Sequence, residues 1–215
     1  MSQLAHVTRH VHTTTAATLP LLVHHGFHSR PHFGRLRPVG NHPHLNKPAG
    51  GLLAYPAIDP PGSWRPWPHD TAWSRWCHKE DCHDWLDGYA QAKLHPHRQA
   101  VLAVIDSAAD ARALSEAAVR SDSTAHLAAL TGVCSTLYHG LIDWPRLRDW
   151  GLSGVYLTPR GLSETRRPQP GGGPLLYGWD MPTVWFCQPH YRLGSPWRYR
   201  SGSRASSLHL GRTAA

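Results

Sequence analysis

Short apolar runs, each closed by glycine or proline, set the rhythm of this chain. LLVHHGF, residues 21–27, is apolar up to its histidines, is broken by Gly26, and reads as a strand. GLLAYPAI, residues 51–58, reads as a second strand. Between them, residues 28–50 are basic and rich in His and Pro. Proline removes backbone donors and glycine breaks periodicity, so a loop is predicted there. A Pro-rich excursion, DPPGSWRPWPHD, follows at 59–70. Asp70 is then placed to cap a helix over 71–81, where Trp73, Trp76 and Cys77 fall at i, i+3 and i+4 and form one apolar face.

The second half alternates more openly. AVLAVID, residues 100–106, is β-like. Asp106 or Ser107 caps a helix in AADARALSEAAVRS, 108–121, with a stripe of Ala108, Ala111, Leu114 and Ala118. LIDWPRLRDWG, 141–151, predicts a short helix with Pro145 in its first turn and Gly151 beyond its end. SGVYLTP, 153–159, reads as a strand and RGLSETRRPQPGGG, 160–173, as a loop. PLLYGWDMPTVWFCQ, 174–188, reads as two strand pieces around a turn at Asp180–Pro182. Residues 1–20 are read as a disordered, ragged terminus and 189–215 as a flexible basic tail, leaving 21–188 as one domain. Strands and helices are interspersed without a βαβ rhythm, so the predicted class is α+β.

Composition adds a partner and a compartment. A chain of 215 residues with 40% hydrophobic content can bury one real core. The net charge of +8 and a pI near 9.7 favour an acidic partner: nucleic acid, a nucleotide, an acidic protein or another anionic surface. Cys77, Cys82, Cys134 and Cys187 are too few and too scattered for a disulfide scaffold, which predicts a reduced, cytoplasmic protein. No apolar run approaches the roughly 20 residues of a membrane helix, so no membrane partner is expected.

Several clusters carry candidate chemistry. Cys77, His78, Cys82 and His83 are zinc-type ligands, but adjacent Cys-His pairs diverge on a helix and no second knuckle follows. The histidines of 24–44 lie among prolines, as solvated loop residues do. His25 differs: it ends an apolar run just before Gly26, at a strand end, where ligand sites occur. In the tail, Arg192, Arg198, Arg200 and Arg204 are interleaved with Tyr191, Trp197 and Tyr199, a composition suited to phosphate contact and base stacking. No P-loop, dinucleotide GxGxxG or nucleophile elbow occurs.

The order of these features carries a resemblance. LVHHGFHSR (22–30), with a strand ending in His-Gly, resembles the first motif of the ADP-ribosyltransferase superfamily, in its diphtheria-toxin and poly-ADP-ribose-polymerase branch. KPAGGLLAYP followed by TAWSRWC resembles its second motif, and GWDMPTVWF resembles the strand that carries the family's glutamate. The chain is also similar, from about Leu22 to Phe186, to a group of small uncharacterised phage and actinobacterial proteins with KPxGGLW, WxxWC, IDW and GWD motifs.

The resemblance implies an ADP-ribosyltransferase-like domain, with a split mixed or antiparallel sheet and a few helices, that uses NAD as substrate to modify a protein or a nucleic acid. It implies that His25 bonds a ribose hydroxyl, that the Gly26 backbone holds the nicotinamide amide, and that Gly50 and Gly51 bring the second strand close to the ligand. It further implies that Tyr55 or Trp76 stacks on the nicotinamide ring. The expected glutamate is absent; Asp180, or Glu164, would supply the carboxylate. The alternative is a catalytically degenerate protein that binds nucleic acid or a partner on the same scaffold.

Overall fold

The computed structural model describes residues 3–27, 34–42, 45–58, 69–82, 89–120, 141–167, 176 and 178–198. The described strands are β1 (Thr13–Thr15), β2 (Leu22–Phe27), β3 (Arg37–Asn41), β4 (Pro48–Pro56), β5 (Tyr89–Pro96), β6 (Val101–Ile105), β7 (Gly154–Leu157), β8 (Thr183–Phe186), β9 (Tyr191–Leu193) and β10 (Trp197–Arg198). They form one mixed sheet in the order β1-β6-β7-β8-β4-β2-β5-β10, with β3 beside β4 and β9 beside β5. Among the described strands only β6 and β7 run parallel. The described helices are α1 (Gln3–Val7), α2 (Ala72–Lys79), α3 (Ala108–Ala117), α4 (Trp144–Asp149) and α5 (Pro159–Arg166). The class is α+β, as the interspersed pattern predicts.

β4 is the strand on which the sheet turns. Its first residues pair with β3, Leu52–Ala54 pair with β8, and Tyr55 and Pro56 pair with Val23 and Leu22 of β2. After those two pairs β2 leaves β4 but stays with β5 through six residues, from Leu22↔Leu94 to Phe27↔Tyr89. The His-Gly end of β2 therefore diverges from β4. In that opening the Nδ1 of His24 lies 2.7 Å from the Leu53 carbonyl oxygen.

The Gly-Gly pair makes the bend in β4 possible. Gly50 and Gly51 have φ of +76° and +68°, conformations costly for residues with a Cβ. A Cβ on Gly51 would also fall 2.1 Å from Trp185 Nε1, whose N–H donates to the Gly50 carbonyl at 3.1 Å. Close packing against the protein's own tryptophan, rather than against a ligand, is what requires glycine at 51.

Two apolar cores and one aromatic cluster result. Trp144, Leu147, Leu157 and Trp185 bury among β6, β7, β8 and the helices α3 and α4. Leu22, Leu52, Leu94, Leu102 and Phe186 form the second core. Tyr55, Trp73 and Cys77 form the small third cluster, with Trp76, Tyr89 and Met181 against it. Fully burying one large apolar side chain contributes about 2–3 kcal/mol, so these cores, more than local propensity, hold the short elements in place.

The structure corrects several expectations. The cap of α2 is Thr71, not Asp70: Thr71 Oγ1 accepts from the Ser74 N–H and Ser74 answers in a capping box. The predicted 28–50 loop contains β3 and the start of β4. The predicted 160–173 loop begins with α5, capped by Thr158 with Pro159 in its first turn. β5 was not expected as a strand. Among the described residues of 174–182 no strand precedes β8. Residues 1–20, expected to be disordered, hold α1 and β1, which pairs with β6, and place Val7 and Val11 in the first core. Residues 191–198, expected in the flexible tail, supply β9 and β10; 199–215 lie outside the described residues.

Candidate functional site

β2 and β5 carry His25 and Gln91 to opposed positions in the ladder. His25 is 8% exposed, with its ring 4.6 Å from that of Trp73 and 5.8 Å, edge-on, from Tyr55. Trp73 in turn lies 4.9 Å from Tyr89. Nε2 of His25 is 3.0 Å from Thr71 Oγ1. Nδ1 is fully buried and has no hydrogen-bond partner among the described residues. Burial, and secondarily the neighbouring His24, push its pKa down to about 3, so the imidazole is neutral at physiological pH.

A chain of hydrogen bonds holds this ring from behind. Ser74 Oγ accepts from the Thr71 N–H at 2.9 Å and donates to Asp70 Oδ1 at 3.1 Å. Asp70 also pairs with Arg75 Nε at 2.9 Å. Gln91, fully buried, clips the segment ahead of α2 to the sheet: Oε1 accepts from the His69 N–H at 2.9 Å and Nε2 donates to the His69 carbonyl at 3.0 Å. Thr71 thus reaches His25 from a segment fixed at two points.

Tyr55 joins this cluster to a cavity of about 330 Å³. Gly50, Leu53 and Thr183 also line it, with Arg37, His42, Lys47 and Asp180. Neither Arg37 nor Lys47 is ion-paired with a carboxylate among the described residues. Burial raises the Tyr55 hydroxyl well above its ordinary value, so it stays protonated. Asp180 is half-exposed and held by Arg166, whose Nη2 donates to its carboxylate at 3.0 Å and to its carbonyl at 3.1 Å. A second cavity, about 670 Å³, shares Asp180 and Met181 with the first and is lined by Trp76, Arg75, Lys79 and Arg166 among others.

The residues expected to act together are therefore divided. His25 and Tyr55 share the aromatic cluster. Gly26 sits at the open end of β2, opposite Ala90. Gly51 is occupied by Trp185. Trp76 faces the second cavity, and Trp73 takes the place against His25. Asp180 borders both cavities. Glu164 belongs elsewhere: it accepts from the Ala108 N–H at 3.1 Å and from Arg160 Nε at 3.1 Å, and these bonds, the backbone one first, lower its pKa.

Cys77, a candidate zinc ligand, is wholly buried with its thiol pushed up to about 11 by burial, whereas His78 is exposed. No metal-type cluster of three or more His, Cys, Asp or Glu occurs among the described residues; His83 lies outside them. No described helix is long and apolar enough to cross a membrane. Thr71 and Gln91 carried no sequence signal beyond the cap position, because their roles exist only once β5 lies beside β2. Comparison with protein-family models, curated proteins and solved structures finds no match to the chain.

Proposed function

We propose that this protein has an ADP-ribosyltransferase-like fold, binds NAD in the opening between β2 and β4, and transfers its ADP-ribosyl group to a protein or nucleic-acid acceptor. One observation carries the reading: a neutral imidazole, nine-tenths buried among aromatic rings where β2 has parted from β4, leaves one ring nitrogen unpaired. A buried polar atom without a partner costs about 1–3 kcal/mol, and a ligand hydroxyl relieves that cost. The resemblance of the His25-Gly26 and GGLLAYP segments to the superfamily's motifs supplies the substrate class.

In the proposed reaction the bond between the ribose C1′ and the nicotinamide nitrogen breaks, nicotinamide leaves, and an acceptor oxygen or nitrogen bonds to C1′ and loses a proton. His25 orients the ribose. The faces of Tyr55 and Trp73 shelter the flat nicotinamide. Arg37 and Lys47 on the cavity rim match the charge of a diphosphate. Asp180 is the only carboxylate lining the 330 Å³ cavity among the described residues, and it stabilises the cationic ribosyl centre. Incubation with labelled NAD and mixed proteins and nucleic acids tests this. Label transfer that falls at least about tenfold in Asp180→Asn supports it; no transfer and no NAD binding by folded protein overturns it.

The Arg166–Asp180 ion pair favours a second reading, in which the same cleft binds without turnover. NAD binding without label transfer, unchanged in Arg166→Ala, distinguishes it.

A further inference from the structure

A hydroxyl has one proton to give, and the Thr71 proton decides what the bare nitrogen of His25 can bind. Thr71 Oγ1 has one O–H and two lone pairs. One lone pair accepts the Ser74 N–H at 3.1 Å, as the helix cap requires. Two acceptors compete for the Thr71 proton among the described residues: Ser74 Oγ at 3.3 Å and His25 Nε2 at 3.0 Å. The Ser74 contact is longer than the roughly 2.5–3.0 Å of an O–H···O bond. Ser74 Oγ already accepts from the Thr71 N–H at 2.9 Å, and its own proton goes to Asp70 Oδ1 at 3.1 Å or to the Thr71 carbonyl at 3.0 Å. The Thr71 proton is therefore given to His25 Nε2.

That donation selects a tautomer. Burial keeps the ring neutral, with a pKa of about 3, and a neutral imidazole carries one N–H. With Nε2 accepting, the proton sits on Nδ1, which is the buried atom without a partner. Thr71 is held firmly enough to enforce the choice. Its side chain is fully buried and its backbone bridges Ala57, just past β4. The Asp70 carbonyl beside it accepts from the Ile58 N–H at 2.8 Å, and Gln91 of β5 grips His69 from the other side. The sheet on both sides of the opening thus fixes the hydroxyl that addresses the ring.

We propose that Thr71 is the positioning residue that fixes His25 as the Nδ1–H tautomer, so that the bare nitrogen is a hydrogen-bond donor and the site selects a ligand group that presents an oxygen lone pair. A hydroxyl, ether, carbonyl or phosphate oxygen meets that requirement. An amine or ammonium group, which brings only protons, does not. Naming the oxygen as one of the NAD ribose rests on the reading above; the tautomer and the role of Thr71 do not.

Long-range proton–nitrogen correlation of the histidine rings in ¹⁵N-labelled full-length protein tests this, because the two neutral tautomers give different cross-peak patterns. The His25 ring is assigned as the set missing from His25→Leu. A single Nδ1–H ring is expected in the wild type at neutral pH and in Thr71→Ser. Thr71→Val fills the same space without the O–H; there the proton should spread over both nitrogens. NAD affinity should fall about tenfold in Thr71→Val and stay within about twofold in Thr71→Ser. On saturation with NAD the proton should remain on Nδ1. An Nε2–H ring in the wild type overturns the assignment, whether or not a variant folds. So does a Thr71→Val ring that stays wholly Nδ1–H, or a proton that moves to Nε2 when NAD binds. The two readings fail separately. A Thr71-dependent Nδ1–H ring in a protein that never binds NAD keeps the donor and removes the ribose. NAD binding to an Nε2–H ring removes the donor and keeps the NAD site.

Discussion

The two halves of the sheet use their buried polar side chains differently. Around β6 and β7, each strand-to-helix junction closes on itself. Ser107 caps α3 by accepting from the Asp110 N–H, Thr158 caps α5 by accepting from the Gly161 N–H, and Thr158 donates to Asp106 at 2.6 Å. Glu164 satisfies the Ala108 N–H. Around β2 and β5, the buried ring of His25 is held on one nitrogen and left bare on the other. The first half uses its junction side chains for architecture, and its own bare donor, Trp144 Nε1, lies in the packed core. The second keeps a bare imidazole nitrogen at the place where the sheet opens, and that difference locates the site.

The contrast can be broken by mutation, beginning where the loss should be greatest. Trp185 is fully buried and its indole N–H holds the Gly50 carbonyl, so Trp185→Ala should cost about 3–5 kcal/mol in urea unfolding. Little loss would mean that the core of the closed half is not the stabilising one. Thr158→Ala, which uncaps α5 and strips a donor from Asp106, should cost about 1–2 kcal/mol by the same measurement.

His25→Leu should behave differently. It removes an unpaired buried atom and leaves Thr71 with its Ser74 partners, so stability should change by less than about 1 kcal/mol, or rise, while NAD binding is lost. A loss as large as that of Trp185→Ala would make His25 a structural residue.

pH sharpens the same point. His25 has a folded pKa of about 3, below the 6.5 of the unfolded chain, so between those values the unfolded state holds the extra proton. Its contribution to stability is complete above pH 6.5 and is lost as pH falls towards 3, with a slope of up to about 1.4 kcal/mol per pH unit. His24, lowered mainly by burial, acts in the same direction. Urea unfolding across this range should show a shallower slope in His25→Leu than in the wild-type protein.

What was readable in the sequence divides along the same line. Long apolar periodicity marks the closed half well: β6, α3, α4 and β7 stand where their patterns predict. The open half was harder. β5 alternates small Ala with Gln, Lys and His, and looks polar until Ala90, Ala92 and Leu94 are seen to pack inward. α5 was hidden by Pro159 and Gly161, which read as loop residues although proline suits a first helical turn. At the site, His25 was visible from the apolar run that precedes it, and Tyr55 only through the family resemblance. Trp73 and Trp76 lie on one short helix, and only the tertiary fold decides which meets His25. Thr71 and Gln91 act through residues 46 and 22 positions away, a separation that no local pattern reveals.

Calorimetric titration of NAD into wild-type protein and His25→Ala tests most directly whether the bare nitrogen marks a ligand site. Saturable binding to the wild type, weakened at least about tenfold in His25→Ala with unfolding stability retained, is the expected result. No binding heat at millimolar NAD, with the wild-type protein demonstrably folded, or equal affinity in both proteins, would contradict it.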